Sequence, residues 1–259
     1  MKKRFSFIGA GNMATAIIEG IGASVCVFDK NTAQYEKFAG KGHTFASGIA
    51  EAVANGDYIF LCVKPQNFDE ILPQIAACPL EGKMIISIAA GITIDRITKA
   101  LGDIPVIRTI PNTPLMVGKG VTGLCRNTKV NDRAFSEICR LFSTLGEVIV
   151  VGEDKINAMT AATSSAPAYV YLFIKAITDA ARELGLDESR MTDYISRMVI
   201  GSAELMLATK KTPDEMIAMV KSPKGTTAEA LKVFEERDFE GIVKDAMIAC
   251  RDRAEELAN

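Results

Sequence analysis

Short apolar runs and stretches of helical periodicity alternate along the first part of the chain. Phe5-Ser6-Phe7-Ile8 runs into a glycine turn, after which Met13, Ile17 and Ile21, flanked by Ala14 and Ile18, recur at helical spacing. Ser24-Val25-Cys26-Val27-Phe28 predicts a second strand, Gly40-Lys41-Gly42 ends the helix after it, and His43-Thr44-Phe45-Ala46 predicts a short third strand. Tyr58-Ile59-Phe60-Leu61-Cys62-Val63 is almost wholly apolar, as a parallel strand covered on both faces must be, and Lys64-Pro65 stops it. Phe68, Ile71, Leu72 and Ile75 return to helical spacing before Met84-Ile85-Ile86-Ser87-Ile88, and Pro105-Val106-Ile107-Arg108-Thr109-Ile110 follows. Gly120 to Cys125 and Gly146 to Val151 predict the last strands, separated by a helix through Phe135, Ile138, Leu141 and Phe142.

Residues 1–152 are therefore predicted to form a doubly wound, mostly parallel α/β sheet whose last strands pair differently. From Glu153 the period changes. Segments 154–184 and 188–209 carry apolar residues at helical spacing, with Leu184-Gly185-Leu186-Asp187 as a stop between them, so 153–259 is predicted to be all helix. Its methionines, Met191, Met198, Met206, Met216, Met219 and Met247, read as gap fillers. Helices this apolar bury more area by pairing with a second copy, which points to a homo-oligomer.

The turn after the first strand carries the first chemistry. In Gly9-Ala10-Gly11-Asn12-Met13-Ala14, Gly9 permits a sharp reversal and Gly11 lets a pyrophosphate rest on backbone N–H groups at a helix start. Ala14 keeps helix and strand close, completing the Gly-x-Gly-x-x-Ala spacing of a dinucleotide site. Asp29, at the end of the second strand, either accepts from a ribose hydroxyl or caps the following turn, whereas Lys30 suits a 2′-phosphate, so NADH and NADPH both stay open. Lys64 lies at a strand's carboxyl end, where ligands of such sheets gather, and Ala89-Ala90-Gly91 suits either a flat ring or tight packing. Pro111-Asn112-Thr113-Pro114 is a loop stiffened by two prolines.

Two stretches break the helical pattern of the second part. Thr160 to Tyr169 gathers small hydroxyls ahead of Pro167, which disturbs the preceding turn and frees backbone groups. Ser222-Pro223-Lys224-Gly225-Thr226-Thr227 opens a helix with hydroxyls and N–H groups converging, as a small carboxylate requires, or as a plain Ser/Thr cap would.

Composition narrows the partners. Thirty basic against thirty-two acidic residues, a formal charge of −2, give no footprint for nucleic acid or an anionic membrane. No stretch reaches membrane-spanning length and the apolar run after Met1-Lys2-Lys3-Arg4 is too short for a signal peptide, which makes the cytoplasm the expected compartment. Six cysteines without a C-x-x-C pair suggest buried thiols, and His43, the sole histidine, has no partner at ligand spacing, so no metal is expected. The same lack of a well-placed histidine disfavours carbonyl reduction, which needs a proton donor for the alkoxide. An imine can be protonated before hydride arrives, so positioning and one hydroxyl near nitrogen suffice.

With these motifs in this order, the chain resembles the pyrroline-5-carboxylate reductase family along essentially its whole length. The residues that carry the resemblance are Gly9 to Ala14, Val63-Lys64-Pro65, Ser87 to Gly91, Arg108 with Pro111 to Pro114, Pro167-Ala168-Tyr169 and Ser222 to Thr227. It implies an N-terminal Rossmann-type domain, a helical C-terminal dimerisation domain, and reduction of a cyclic imino acid to L-proline with NADPH or NADH. It also implies that the first four groups line the dinucleotide, with the nicotinamide near Ala90 and Asn112. Ser222, Gly225, Thr226 and Thr227 would hold the substrate carboxylate, and Thr160 would face the imine nitrogen as hydrogen-bond partner or proton donor. An interlocked homodimer, or a ring of dimers, with both subunits contributing to the pocket, is implied as well. Ser164, Ala166 and Lys224 stand where the family has glycine. A related imine reductase acting on a different ring, or a non-catalytic NAD(P)H sensor, are the alternatives.

Overall fold

The computed structural model describes residues 3–186 and 188–257, so Asp187 of the expected helix stop and the first two residues lie outside the described residues. The apolar runs become β1 (Phe5–Ile8), β2 (Cys26–Phe28), β3 (Thr44–Phe45), β4 (Tyr58–Leu61), β5 (Met84–Ser87), β6 (Val106–Ile110), β7 (Gly120–Arg126) and β8 (Gly146–Val150). They form one sheet in the order β3-β2-β1-β4-β5-β6-β7-β8. Pairing is parallel from β3 to β6, β7 runs antiparallel to β6, and β8 is parallel to β7. The reversal follows from the short Pro111-to-Lys119 link, which cannot accommodate the crossover that a parallel neighbour demands.

Helices α1 (Asn12–Ile21), α2 (Ile49–Asn55), α3 (Phe68–Ala76), α4 (Ile94–Leu101) and α5 (Asp132–Ser143) cover the sheet. One face buries Ile8, Ile59, Leu61, Ile85 and Val106 against apolar side chains of α2, α3 and α4. The other buries Phe7, Phe60, Ile86, Ile107 and Leu124 against α1 and α5. Alternate residues of one strand thus serve opposite cores, which is why these strands read as continuous apolar runs. The pattern left α2 and α4 unmarked because each buries only three apolar side chains, too few periods to stand out.

After Gly152 the described chain is helical. A 3₁₀ turn (Glu153–Lys155) leads into α6 (Ile156–Met159), a π-helical turn (Thr160–Ser164) and α7 (Ala166–Glu183), followed by α8 (Met191–Thr209), α9 (Pro213–Val220), α10 (Thr226–Glu236) and α11 (Phe239–Glu256). The break expected ahead of Pro167, which has no N–H to continue an α-helical ladder, takes the form of this π turn.

Contacts divide the chain into two units, residues 1–165 with 249–259, and residues 166–248. The first holds the sheet and both cores, and the end of α11 packs on it, where the Leu257 carbonyl accepts from the Arg96 guanidinium at 3.2 Å. In the second, only Thr178, Ala181 and Ile195 are buried among the described residues, while Leu172, Leu205, Leu207, Val220 and Phe234 are exposed.

Candidate functional site

β1 delivers the chain into its glycine turn at Gly9, whose φ of 103° no L side chain adopts readily. A Cβ there would lie 2.7 Å from the carbonyl carbon and oxygen of Cys62, so backbone packing enforces the glycine as well. Gly11 differs: its φ is −69°, and a Cβ would meet nothing within 4 Å. The space over Gly11 is open. The first helical bond of α1 runs from Thr15 N–H to the Gly11 carbonyl at 2.9 Å, which leaves the earlier N–H groups, Asn12 and Met13 among them, at the positive end of the helix.

Asp29 fixes this turn. One carboxylate oxygen accepts the Ala10 N–H at 2.7 Å and the other accepts the Asn31 N–H at 2.8 Å. The cap of the next turn is Asn31, which accepts from Ala33 N–H at 3.2 Å. Gly9, Gly11, Asn12, Asp29, Lys30, Val63 and Lys64 come together along one cleft of about 580 Å³. Gln34, Lys37 and Glu70, which sequence reasoning did not mark, line it too. Lys30 pairs with Glu70, and the Lys37 ammonium lies 3.4 Å from the Asn12 side-chain oxygen. Lys37 was hidden because the turn that carries it has no clear apolar stripe from which a cleft-facing side could be read.

Met13, Pro65, Ala89, Ala90, Gly91 and Asn112 are not among the residues lining that cleft. Met13 belongs to the first turn of α1, and Pro65 begins a 3₁₀ turn after β4. Gly91, with φ 75°, serves packing, since a Cβ would fall 2.6 Å from that of Leu257. Ala89 is buried beyond β5, and its N–H donates to the Ser87 hydroxyl at 3.3 Å. Arg108 is 1% exposed within β6. Its guanidinium donates to Glu153 at 3.2 Å and to the Asn157 side-chain oxygen at 2.8 Å, and it is not among the cleft's lining residues. These contacts tie the sheet to α6. Glu153 also accepts the Ile94 N–H at 2.7 Å. Burial pushes the thiol of Cys125, opposite Arg108 on β7, up to about 12.

Asn112 is buried in the loop after β6. Its side-chain oxygen accepts Val121 N–H at 2.9 Å and its amide nitrogen donates to the Thr163 carbonyl at 3.1 Å. Beside it the Ser164 hydroxyl donates to the Pro111 carbonyl at 2.8 Å. Both contacts grip the π turn that Thr160 opens. Thr160 is itself buried; its hydroxyl donates to the Ile156 carbonyl at 3.0 Å, and its carbonyl accepts Ser165 N–H at 2.8 Å.

Within the helical unit, the Ser222–Thr227 stretch forms a tight turn ahead of α10. Gly225 N–H donates to the Ser222 carbonyl at 3.0 Å, and a Cβ on Gly225 would lie 2.2 Å from the Ser222 hydroxyl oxygen. Lys224 adopts φ 60°, the left-handed conformation natural to glycine. No side chain caps α10, so the plain Ser/Thr cap expected as the alternative is not what this turn provides. The first helical bonds reach the Gly225 carbonyl from Ala228 and Glu229, at 3.0 and 3.3 Å, so the N–H groups of Thr226 and Thr227 precede the ladder. Among the described residues no helix is long and apolar enough to cross a membrane.

Two family models match the chain: "Pyrroline-5-carboxylate reductase dimerisation" over residues 153–257 and "NADP oxidoreductase coenzyme F420-dependent" over residues 4–91. A pyrroline-5-carboxylate reductase of Escherichia coli is 35% identical over 270 aligned positions, covering 100% of this chain and 99% of the relative. Among solved structures, a pyrroline-5-carboxylate reductase from Coxiella burnetii superposes with a TM-score of 0.88 at 31% identity, covering 100% of both chains. A 1-pyrroline-5-carboxylate reductase from Streptococcus pyogenes does so with a TM-score of 0.91 at 26% identity, covering 98% of each.

Proposed function

The chain belongs to the pyrroline-5-carboxylate reductase family, and from that premise we propose that it reduces 1-pyrroline-5-carboxylate to L-proline with NADPH or NADH. What carries the proposal is similarity from end to end, 35% identity across the whole chain, rather than across one module. Residues 1–152 would hold the dinucleotide, and residues 153–259 the substrate and the dimer contact.

The cleft suits the cofactor, because the open space over Gly11 and the outward N–H groups at the start of α1 are what a pyrophosphate requires. Gly9, Gly11, Asn12 and Met13 would cradle it, with Val63, Lys64 and Pro65 at the end of β4 and Ala89, Ala90, Gly91 and Asn112 toward the nicotinamide. Asp29 keeps the glycine turn in shape, and Lys30 and Lys37, which line the cleft, would meet a 2′-phosphate or ribose. When bound, the reduced dinucleotide supplies a hydride to the imine carbon.

The chain's own residues arrange the other partner. Ser222, Gly225, Thr226 and Thr227 would hold the substrate carboxylate on N–H groups and hydroxyls at the start of α10. Thr160, whose hydroxyl proton points to the Ile156 carbonyl, keeps its oxygen lone pairs for the N–H of a protonated imine. As the new C–H bond forms, the C=N π electrons become the lone pair of the nitrogen, and the saturated ring leaves as a neutral secondary amine.

The helical unit buries so few of its own side chains that a second copy is the natural cover, giving a homodimer or a ring of dimers. The six cysteines are free thiols, which suits a cytoplasmic enzyme. Replacing Thr227 by Ala tests the carboxylate site: the apparent substrate constant should rise about tenfold, roughly 1.4 kcal/mol, with cofactor affinity unchanged. Unchanged substrate kinetics would remove Thr227 from the site.

A further inference from the structure

The Asn112 amide faces a vacancy that Pro167 creates. In an α-helix the Thr163 carbonyl would accept from the N–H of residue 167, and proline has none. The backbone answers with a π turn, in which Ser165 N–H reaches the Thr160 carbonyl at 2.8 Å. The Thr163 carbonyl is met from outside the helix, by the Asn112 amide at 3.1 Å, and that amide is in turn anchored by Val121 N–H on β7 at 2.9 Å. The Thr163 hydroxyl donates back to the Met159 carbonyl at 2.8 Å, and Ser164 bonds the Pro111 carbonyl at 2.8 Å.

We propose that Asn112 is a positioning residue: it replaces the hydrogen bond that Pro167 withholds and so fixes the π turn that aims the Thr160 hydroxyl. The inference rests on the assignment of Thr160 to the imine nitrogen given above. A π turn is a one-residue excess in the helical ladder, and it relaxes to ordinary helix unless something outside holds its displaced carbonyls. Because Thr160 begins that excess, relaxation rotates its hydroxyl about the helix axis. Asn112 is 7% exposed, and both ends of its side chain engage backbone, so it has the rigidity such a role needs.

The test is a mutant cycle on the full-length enzyme, assayed with 1-pyrroline-5-carboxylate and NADPH. Asn112→Ala should lower kcat at least about tenfold. Asn112→Asp keeps the shape and the acceptor for Val121 but loses the donor to Thr163; it should show the same loss and serves if the alanine variant melts early. A contact that merely stabilised the fold would show in the melting temperature and leave the kcat of the folded enzyme unchanged. Combined with Thr160→Ala, the Asn112 change should cost little more than Thr160→Ala alone. Two results overturn the proposal: an unchanged kcat in Asn112→Ala, or full additivity of the two changes. Full turnover in Thr160→Ala alone would overturn the Thr160 assignment and this inference with it, whereas loss in Thr160→Ala with full additivity would overturn this inference alone.

Discussion

Gly9 and Gly11 stand two residues apart in one turn, and the structure gives them different duties, which a pair of alanine variants separates. At Gly9, alanine must adopt φ 103° with its Cβ 2.7 Å from the Cys62 carbonyl group, a backbone atom pair that cannot swing aside. The conformational strain alone is about 1–2 kcal/mol. Overlap with backbone adds about as much again, as overpacking in a filled core does. A loss of about 2–4 kcal/mol corresponds to a fall in melting temperature of roughly 5–15 °C for a chain of this size. At Gly11, the φ of −69° and the empty surroundings accept a Cβ at no cost to folding, so stability should stay within about 0.5 kcal/mol. That same methyl group stands where the pyrophosphate would approach the N–H groups of α1, and NADPH affinity should fall at least about tenfold, roughly 1.4 kcal/mol. Thermal melting and a fluorescence titration with NADPH, run on both variants, read the two effects separately. A Gly11→Ala protein that binds NADPH like the parent would refute the reasoning, as would a Gly9→Ala protein of undiminished stability.

Arg108→Met should destabilise the fold by about 1–3 kcal/mol in denaturant unfolding, because it takes the cationic partner from the half-exposed Glu153 and the donor from Asn157; a change under about 0.5 kcal/mol would show the pair to be dispensable. Lys37→Glu should raise the NADPH KM at least about tenfold and leave the NADH KM within about twofold, the two read by parallel steady-state kinetics; equal effects on both cofactors would remove Lys37 from 2′-phosphate recognition.

Much of this molecule is legible in the chain because its strands are buried on both faces and announce themselves as apolar runs. The reversal at β7 was expected only as some change of pairing; its direction follows from the length of the Pro111-to-Lys119 link. The Gly-x-Gly turn was readable because backbone conformation dictates residue type there, and Gly9 shows how strictly. Arg108 was harder: it is a charged residue within an apolar strand, and nothing local announces that Glu153 and Asn157, far along the chain, will engage it. Asp29 likewise takes Ala10 N–H, a bond across 19 residues that sequence spacing cannot reveal. The break at Pro167 was visible, whereas the π turn that it produces depends on Asn112, supplied by another element.

The most direct measurement is oxidation of NADPH and of NADH by the purified protein with 1-pyrroline-5-carboxylate, followed by the loss of reduced-nicotinamide absorbance, beside the six-membered imine analogue. Rapid turnover of the five-membered ring, with L-proline as product, is the predicted result. No turnover of that ring, in a protein that binds the dinucleotide, would contradict it.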